Sequence, residues 1–363
     1  MNLPASISMR LAIIGAAGHC GRQLAVQLLD RRLIPAEGVL QLVGHHGGGS
    51  EVSLWSLRAD LSDAFCDNAP SIDVVLDADA IRADLVVMLA GRTLSTNPSD
   101  NADRARLGQD NLALFQRYAD VLASQPGDPP VVIVQSNPVE LGVQVFAEAL
   151  GRHRVIGAGA WSDTLRFRTE LARDLSIRRT HLQAWALGQH GDHLIPCRSQ
   201  INAWGISSNT LRNLQEQLKQ AGRATEYSER LRQRRSELLQ HLHNQAWSDA
   251  NALIASCPAD LRTGLRPFLT HFTSAGHTTE VMTAHAVADL VACLAEARTQ
   301  VVAAQVLLDG EWPGCHEVLG VPVLLGSSGW TQVCPLELDA DEHEAMHQAA
   351  GAISAAIAAV REV

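Results

Sequence analysis

The sequence predicts an α/β protein, in which a doubly wound parallel sheet is followed by a second domain of mixed helix and strand. Three observations support this prediction. Short apolar runs alternate with helix-length segments through residues 1–152. A glycine-rich turn follows the first apolar run. From residue 153 onward the alternation becomes irregular, so we expect the domains to cover 1–152 and 153–363.

The first domain begins with an apolar run from Leu11, which predicts a strand, and a helical pattern over 23–33. Short apolar runs bounded by polar or turn residues predict the remaining strands. These runs are 39–43, 74–76, 85–89 and 131–134, with a helix expected over 103–122. Strands that alternate with helices in this way are typical of a parallel sheet covered on both faces.

The second domain is less regular. Its pattern predicts helices over 162–175 and 284–297, strands over 181–187, 301–308 and 321–325, and an alanine-rich helix from Asp341. Between them lies a long Gln- and Leu-rich helical stretch, 209–268, to which no chemistry can be assigned. The basic run from Arg230 to Arg235 within it is interpreted as a solvated helix face.

The composition excludes several classes of function. Apolar residues make up 46% and charged residues 19%, as in ordinary globular proteins. The net charge of −10 opposes binding to nucleic acid or to an anionic membrane. Seven cysteines without paired spacing predict a reduced, intracellular protein, and no apolar run could span a bilayer. We therefore expect a cytoplasmic protein. We expect no metal site.

The glycine-rich turn reads Gly15-Ala-Ala-Gly18-His-Cys-Gly21 and lies between the first strand and the first helix. There, missing side chains let the backbone approach a pyrophosphate, and the helix N-terminus supplies N–H groups. Its spacing is GxxGxxG instead of GxGxxG, and a tight turn without a ligand would look the same. The position in the chain predicts a Rossmann-type domain that binds NAD or NADP.

The end of the second strand, Gly44-His45-His46, lacks the carboxylate that usually accepts a hydrogen bond from the adenosine ribose. The nearest acid, Glu51, lies well beyond the strand. Without a carboxylate a 2′-phosphate would not be repelled, and His45, His46 or Ser50 could bind it. Neutral imidazole attracts phosphate less than arginine does, so NAD and NADP both remain open.

Three segments resemble the lactate/malate dehydrogenase family. They are QSNPVE at 135–140, GAGAWSDTLRFR at 157–168 and LGQHGDHLIP at 187–196. They match the family's SNPVD, GxGxxLDxxRFR and GxHGD motifs in order and separation. The likeness covers nearly the whole chain, and the glycine turn is more similar to that of malate dehydrogenases.

The resemblance implies a Rossmann-type doubly wound parallel sheet followed by the family's α+β C-terminal domain. It also implies NAD or NADP as cofactor and a homodimer or homotetramer. The expected reaction interconverts a small 2-hydroxy acid and a 2-oxo acid, with malate and oxaloacetate favoured. A different 2-oxo acid, or a catalytically silent nicotinamide-binding regulatory protein, are the alternatives.

Reduction of a 2-oxo acid needs a proton donor beside the oxygen on which negative charge develops. The resemblance assigns this role to His190, with Asp163 on the other ring nitrogen. Arg166, on the same helix face as Asp163, would hold the substrate carboxylate with two parallel bonds. Each residue alone would be ordinary in a chain with 15 histidines, so the prediction depends on their joint occurrence.

The resemblance also suggests supporting residues. Asn137 would bind the substrate oxygen or the nicotinamide ribose, and Thr279 would line the substrate pocket. The remaining cofactor contacts are assigned to Gly44, His45, Ala90, Gly91 and Asn111.

The loop after the fourth predicted strand should select the substrate. Arg104 would close over the substrate and polarise its carbonyl group. Six positions earlier, where the family has the residue that distinguishes substrates, this chain has Pro98. Arg92 is the candidate second cation for a dicarboxylate, although an arginine facing solvent would fit equally well.

Overall fold

The computed structural model describes residues 9–93, 104–274 and 279–362, and for residues 104 and 105 it describes the backbone alone. Within these residues eleven strands form one sheet. The strands are β1 (Arg10–Ile14), β2 (Val39–Val43), β3 (Ser71–Val75), β4 (Leu85–Met88), β5 (Val131–Val134), β6 (Val155–Gly157), β7 (Leu182–Gly188), β8 (Leu194–Ala203), β9 (Gln300–Leu307), β10 (Val318–Gly326) and β11 (Gly329–Val333). The helices are α1 (His19–Asp30), α2 (Gly48–Ala64), α3 (Arg104–Ala123), α4 (Val139–Leu150), α5 (Gly159–Leu175), α6 (Ser208–Gln220), α7 (Tyr227–His243), α8 (Trp247–Ser256), α9 (Ala259–Thr273), α10 (Glu280–Ala295) and α11 (Ala340–Arg361).

The first six strands pair in parallel in the order β3-β2-β1-β4-β5-β6. Strands β4 and β5 are buried along their whole length, as expected for strands covered on both faces. The chain order reverses between β1 and β4, and ligands of such sheets bind beyond the carboxyl ends of the strands at this point. The doubly wound parallel sheet is therefore confirmed.

The sheet continues across the expected boundary between residues 152 and 153. Strand β6 begins at Val155 and pairs with β5, so the parallel part extends past that boundary. Strand β9 then joins β6 in antiparallel fashion, where Gly157 faces Gln305. A Cβ atom on Gly157 would lie 2.7 Å from Cβ of Gln305, so the missing side chain permits this close approach.

The second half contains the antiparallel strands β9, β10, β7 and β8, with β11 paired to β10. The helical stretch expected over 209–268 divides into α6, α7, α8 and α9. A separate apolar cluster, including Phe167, Tyr227, Leu231, Leu261 and Leu265, packs α7 and α9 against α5. Of these four extra helices, α9 lies directly against α5, which begins two residues after β6 ends, and α7 packs against α9.

Helix α2 was not expected from the sequence, because it begins in a run of three glycines that is typical of a loop. The helix is stabilised by Leu54, Leu57 and Leu61, whose helical spacing buries one face. Among the helices of the described residues, none is long and apolar enough to cross a membrane.

Candidate active site

One cavity of about 380 Å³ brings together His190, Asp163, Arg166 and Thr279, and it is also lined by Cys20 of the glycine turn. These residues come from different elements. Asp163 and Arg166 belong to α5, His190 follows β7, and Thr279 immediately precedes α10. The residues that the sequence analysis assigned to substrate chemistry therefore share a space with the turn assigned to the cofactor.

Asp163 binds His190 through a contact of 2.7 Å between its Oδ2 atom and Nδ1 of the imidazole. Burial raises the pKa of Asp163, but the contacts with His190 and Arg166 outweigh it, so the pKa lies below its usual value. Asp163 is therefore ionised at neutral pH and accepts the bond, and Nδ1 donates it. Since Nδ1 is occupied, Nε2 is the ring nitrogen that can exchange a proton with a bound molecule.

Arg166 is held from two sides. Its Nη1 donates to Oδ1 of Asp163 at 2.9 Å, and its Nη2 donates to Oγ1 of Thr279 at 2.6 Å. Its side chain is 13% exposed, so the guanidinium lies largely in the protein interior. Because both terminal nitrogens are held by these bonds, the plane of the guanidinium group is fixed. A carboxylate that is bound through two parallel hydrogen bonds requires such a fixed plane.

The position of His190 depends on Gly159 and Glu140. A Cβ atom on Gly159 would lie 2.6 Å from Cγ of His190, so the first residue of α5 must lack a side chain for the ring to pack there. The backbone N–H of His190 donates to Oε1 of Glu140 at 2.7 Å. This contact was not expected from the sequence, although an acidic residue in the first turn of an apolar helix such as α4 indicates a specific partner when it is buried.

The glycine turn has the close packing that a pyrophosphate site needs. A Cβ atom on Gly15 would lie 2.7 Å from the Ala90 nitrogen, and one on Gly21 would lie 2.5 Å from the Gly15 oxygen. Gly18 caps α1 without a side-chain hydrogen bond, so the first N–H groups of the helix can bind an anion. Burial, followed by the charge of Glu280, raises the pKa of Cys20 to about 12, so its thiol is neutral.

Asn111, a predicted cofactor contact, also joins two loops of the site. The residue is buried, and its Oδ1 accepts from the Arg92 N–H at 2.7 Å. Its Nδ2 donates to the carbonyl oxygens of Arg92 and Asn137 at 3.1 and 2.7 Å. Gly91 lies against the same amide group. Because Asn111 is bonded to the backbone of both loops, it positions them, and its contact with a cofactor stays a prediction.

Glu51, the acid nearest to β2 in the sequence, contacts the backbone four residues after that strand ends. Since α2 begins at Gly48, Glu51 falls in its first turn, where its Oε2 accepts from the Gly47 N–H at 3.0 Å. A second carboxylate, Asp77, follows β3 and lies 3.2 Å from Nε2 of His46.

Two other residues assigned to the cofactor lie at the same end of β2. Gly44 packs against Leu54, since a Cβ atom on it would lie 2.5 Å from Cδ1 of that residue. His45 is exposed, and its Nδ1 lies 3.1 Å from the His46 carbonyl oxygen.

The substrate loop is described in part. Arg92 reaches the cavity lining, but its side chain is 73% exposed and its Nη1 lies 3.3 Å from Oδ2 of Asp110. Asn137 and Leu107 also line the cavity. Pro98 and the side chain of Arg104 lie outside the described residues.

Helices α7 and α9 supply a wall of the cavity that was not expected from the sequence. Arg235 of α7 lines the cavity together with residues of α9, which are Thr263, Gly264, Pro267, Phe268, His271 and Phe272. Arg230 and Arg235 are 17% and 21% exposed, so the basic run is not simply a solvated face. Within the described residues, no group of three or more His, Cys, Asp or Glu side chains is arranged to hold a metal ion.

Comparison with known proteins places these features in context. Residues 274–363 match the family model for the lactate/malate dehydrogenase alpha/beta C-terminal domain. Malate dehydrogenase of Methanosphaera stadtmanae is 24% identical over 349 residues, which is 94% of each chain.

Two solved structures share the fold. The malate dehydrogenase of Cryptosporidium parvum has a TM-score of 0.76 at 18% identity and covers 98% of this chain and 100% of that one. The lactate dehydrogenase of the same organism, with lactic acid and nicotinamide adenine dinucleotide bound, has a TM-score of 0.76 at 18% identity, with coverage of 98% and 99%.

Proposed function

We propose that this protein interconverts malate and oxaloacetate with NAD. It belongs to the lactate/malate dehydrogenase family and is a 2-hydroxy acid dehydrogenase. The observation that supports this most directly is the position of Asp163. One buried carboxylate binds the imidazole of His190 with one oxygen and the guanidinium of Arg166 with the other. A proton donor and a carboxylate-binding group are thereby held side by side.

The roles of the side chains follow from this arrangement. Bound NADH supplies a hydride from its nicotinamide ring. Arg166 binds the substrate carboxylate and orients the neighbouring carbonyl group. His190 donates a proton from Nε2 to the carbonyl oxygen as negative charge develops there, and it takes the proton back in the reverse direction. Asp163 stays ionised throughout and keeps the ring in the orientation that this transfer requires.

The residues at the glycine turn fit NAD. Close packing at Gly15 and Gly21 and the uncapped start of α1 suit a pyrophosphate. The carboxylates of Glu51 and Asp77, beside β2 and β3, favour a ribose hydroxyl over a 2′-phosphate because like charges repel. We therefore expect NAD, and not NADP, as the cofactor.

The wild-type protein is expected to use NADH with a kcat/KM at least about tenfold above that for NADPH, equivalent to about 1.4 kcal/mol. Glu51→Gln should raise the NADPH-to-NADH ratio several-fold because it removes one of the repelling charges. Initial rates with both cofactors measure the ratio. Asp63→Asn removes the same charge from an exposed position near the other end of α2 and should leave the ratio unchanged. A wild-type preference for NADPH would contradict the argument.

Steady-state rates with NADH and a series of 2-oxo acids test the proposed reaction. Oxaloacetate, pyruvate and longer 2-oxo acids should be compared, with NADH oxidation followed by absorbance. We expect oxaloacetate to give the highest kcat/KM. If NADH binds saturably but no acid is reduced, the result contradicts the proposal and favours a catalytically silent nicotinamide-binding protein.

A further inference from the structure

The extra helices bring a second arginine into the cavity that holds His190 and Arg166. Arg235 lies on α7, lines this cavity, and has a side chain that is 21% exposed. We propose that Arg235 binds the distal carboxylate of a 2-oxo dicarboxylate whose first carboxylate is bound by Arg166. The inference rests on the proposed function for the reaction itself, and adds to it the residue that selects the substrate.

Arg235 is fixed in a way that parallels Arg166. Nη1 of Arg235 donates to Oδ1 of Asp192, which lies two residues after His190. Its guanidinium carbon lies 5.1 Å from the centre of the Phe268 ring, a position in which the ring face attracts the cation. Each guanidinium is thus tied to an aspartate through one terminal nitrogen and keeps other N–H groups for a ligand.

Nε of Arg235 supplies an independent indication of a ligand. This atom is buried and has no hydrogen-bond partner among the described residues. Leaving such a donor unpaired costs about 1–3 kcal/mol, and more for a charged group. A carboxylate that accepts a hydrogen bond from Nε of Arg235 would recover this free energy, after a small rotation of the arginine side chain.

The two enclosed guanidinium groups favour a ligand with two carboxylates. Arg166 and Arg235 are both largely enclosed, whereas Arg92 is 73% exposed and paired with Asp110. The carboxylates that line the same space are already engaged: Asp163 binds His190 and Arg166, and Glu140 accepts from the His190 N–H. A substrate with two carboxylates would give each guanidinium group a second anionic partner beside its aspartate, and enclosure strengthens each hydrogen bond. Pro267, Phe268 and Phe272 on α9 would contact the carbon chain between them.

The test compares Arg235→Gln with Arg234→Gln. Arg234 is the neighbouring residue on α7, where it is 42% exposed and pairs with Glu237. The measured quantity is kcat/KM for oxaloacetate, or for the longer 2-oxoglutarate, divided by kcat/KM for pyruvate. We expect this ratio to fall about 100-fold in Arg235→Gln, mainly through KM, and to change less than about threefold in Arg234→Gln. Arg235→Lys should recover part of the loss because it keeps the charge without the planar fork.

An unchanged ratio in Arg235→Gln, or an equal loss for both substrate classes, would overturn the proposal, since a merely structural role affects all substrates alike. Calorimetric binding of tartronate, a dicarboxylate, and of oxamate, a monocarboxylate, to the NADH complex measures the same preference without turnover. We expect the Kd of tartronate to rise about 100-fold in Arg235→Gln, with a much smaller change for oxamate. If the wild-type protein reduces no 2-oxo acid, the proposed reaction fails, but the calorimetric ratio still decides the role of Arg235.

Discussion

Replacement of His190 by asparagine is expected to lower kcat by about three to four orders of magnitude, while the Kd for NADH changes by less than about threefold. Asparagine can still donate a hydrogen bond to Asp163, but its amide cannot exchange a proton with the substrate at neutral pH. Stopped-flow rates with oxaloacetate and fluorescence titration with NADH measure the two quantities separately.

A suitable control for this variant is His316→Asn. His316 lies in an exposed loop, where it pairs with Asp309 at 3.4 Å, and its replacement should leave kcat unchanged. Reduction of 2-oxo acids by His190→Asn at the wild-type rate would show that another group supplies the proton. The assignment of His190 and Asp163 as a dyad would then be wrong.

Arg166→Lys is expected to lower kcat/KM for the 2-oxo acid by about 100-fold, mostly through a higher KM. Lysine keeps the positive charge but cannot bond Asp163, Thr279 and a substrate carboxylate from one planar group. The KM and kcat from initial rates at saturating NADH distinguish weaker binding from slower chemistry.

Arg173→Lys provides a matched control, since Arg173 lies on the same helix and pairs with Glu170 at the same i,i+3 spacing. Its side chain is 54% exposed, so we expect a small effect on KM. A comparable loss in both variants would mean that the ion pairs stabilise α5 and that Arg166 has no special role in binding.

The arrangement of the core site could be predicted from sequence because its residues lie in short segments with fixed local geometry. Asp163 and Arg166 are three residues apart on a helix, and that spacing alone places them side by side. The meeting of His190 with Asp163 required the resemblance to a known family, since no local pattern connects residues 27 positions apart.

Other features could not be predicted because they depend on packing between distant elements. The start of α2 at Gly48 could not be predicted because a run of glycines suggests a loop, and this helix start lets Glu51 accept a hydrogen bond from the Gly47 N–H. The side-chain amide of Asn111 could form hydrogen bonds with a ligand or with backbone groups. The sequence does not show that the backbone of Arg92 and Asn137 lies beside it. Arg235 belongs to a basic run whose sequence does not show which side chain faces inward.

The contact between Gly159 and His190 limits which sequences can perform this chemistry. Every other genetically encoded amino acid carries a Cβ atom, and at position 159 that atom would collide with the imidazole. A substitution at position 159 therefore affects the side chain of His190, 31 residues later in the chain. A related protein with alanine at position 159 could keep the sheet and the glycine-rich turn. It would still lose the orientation in which His190 donates its proton.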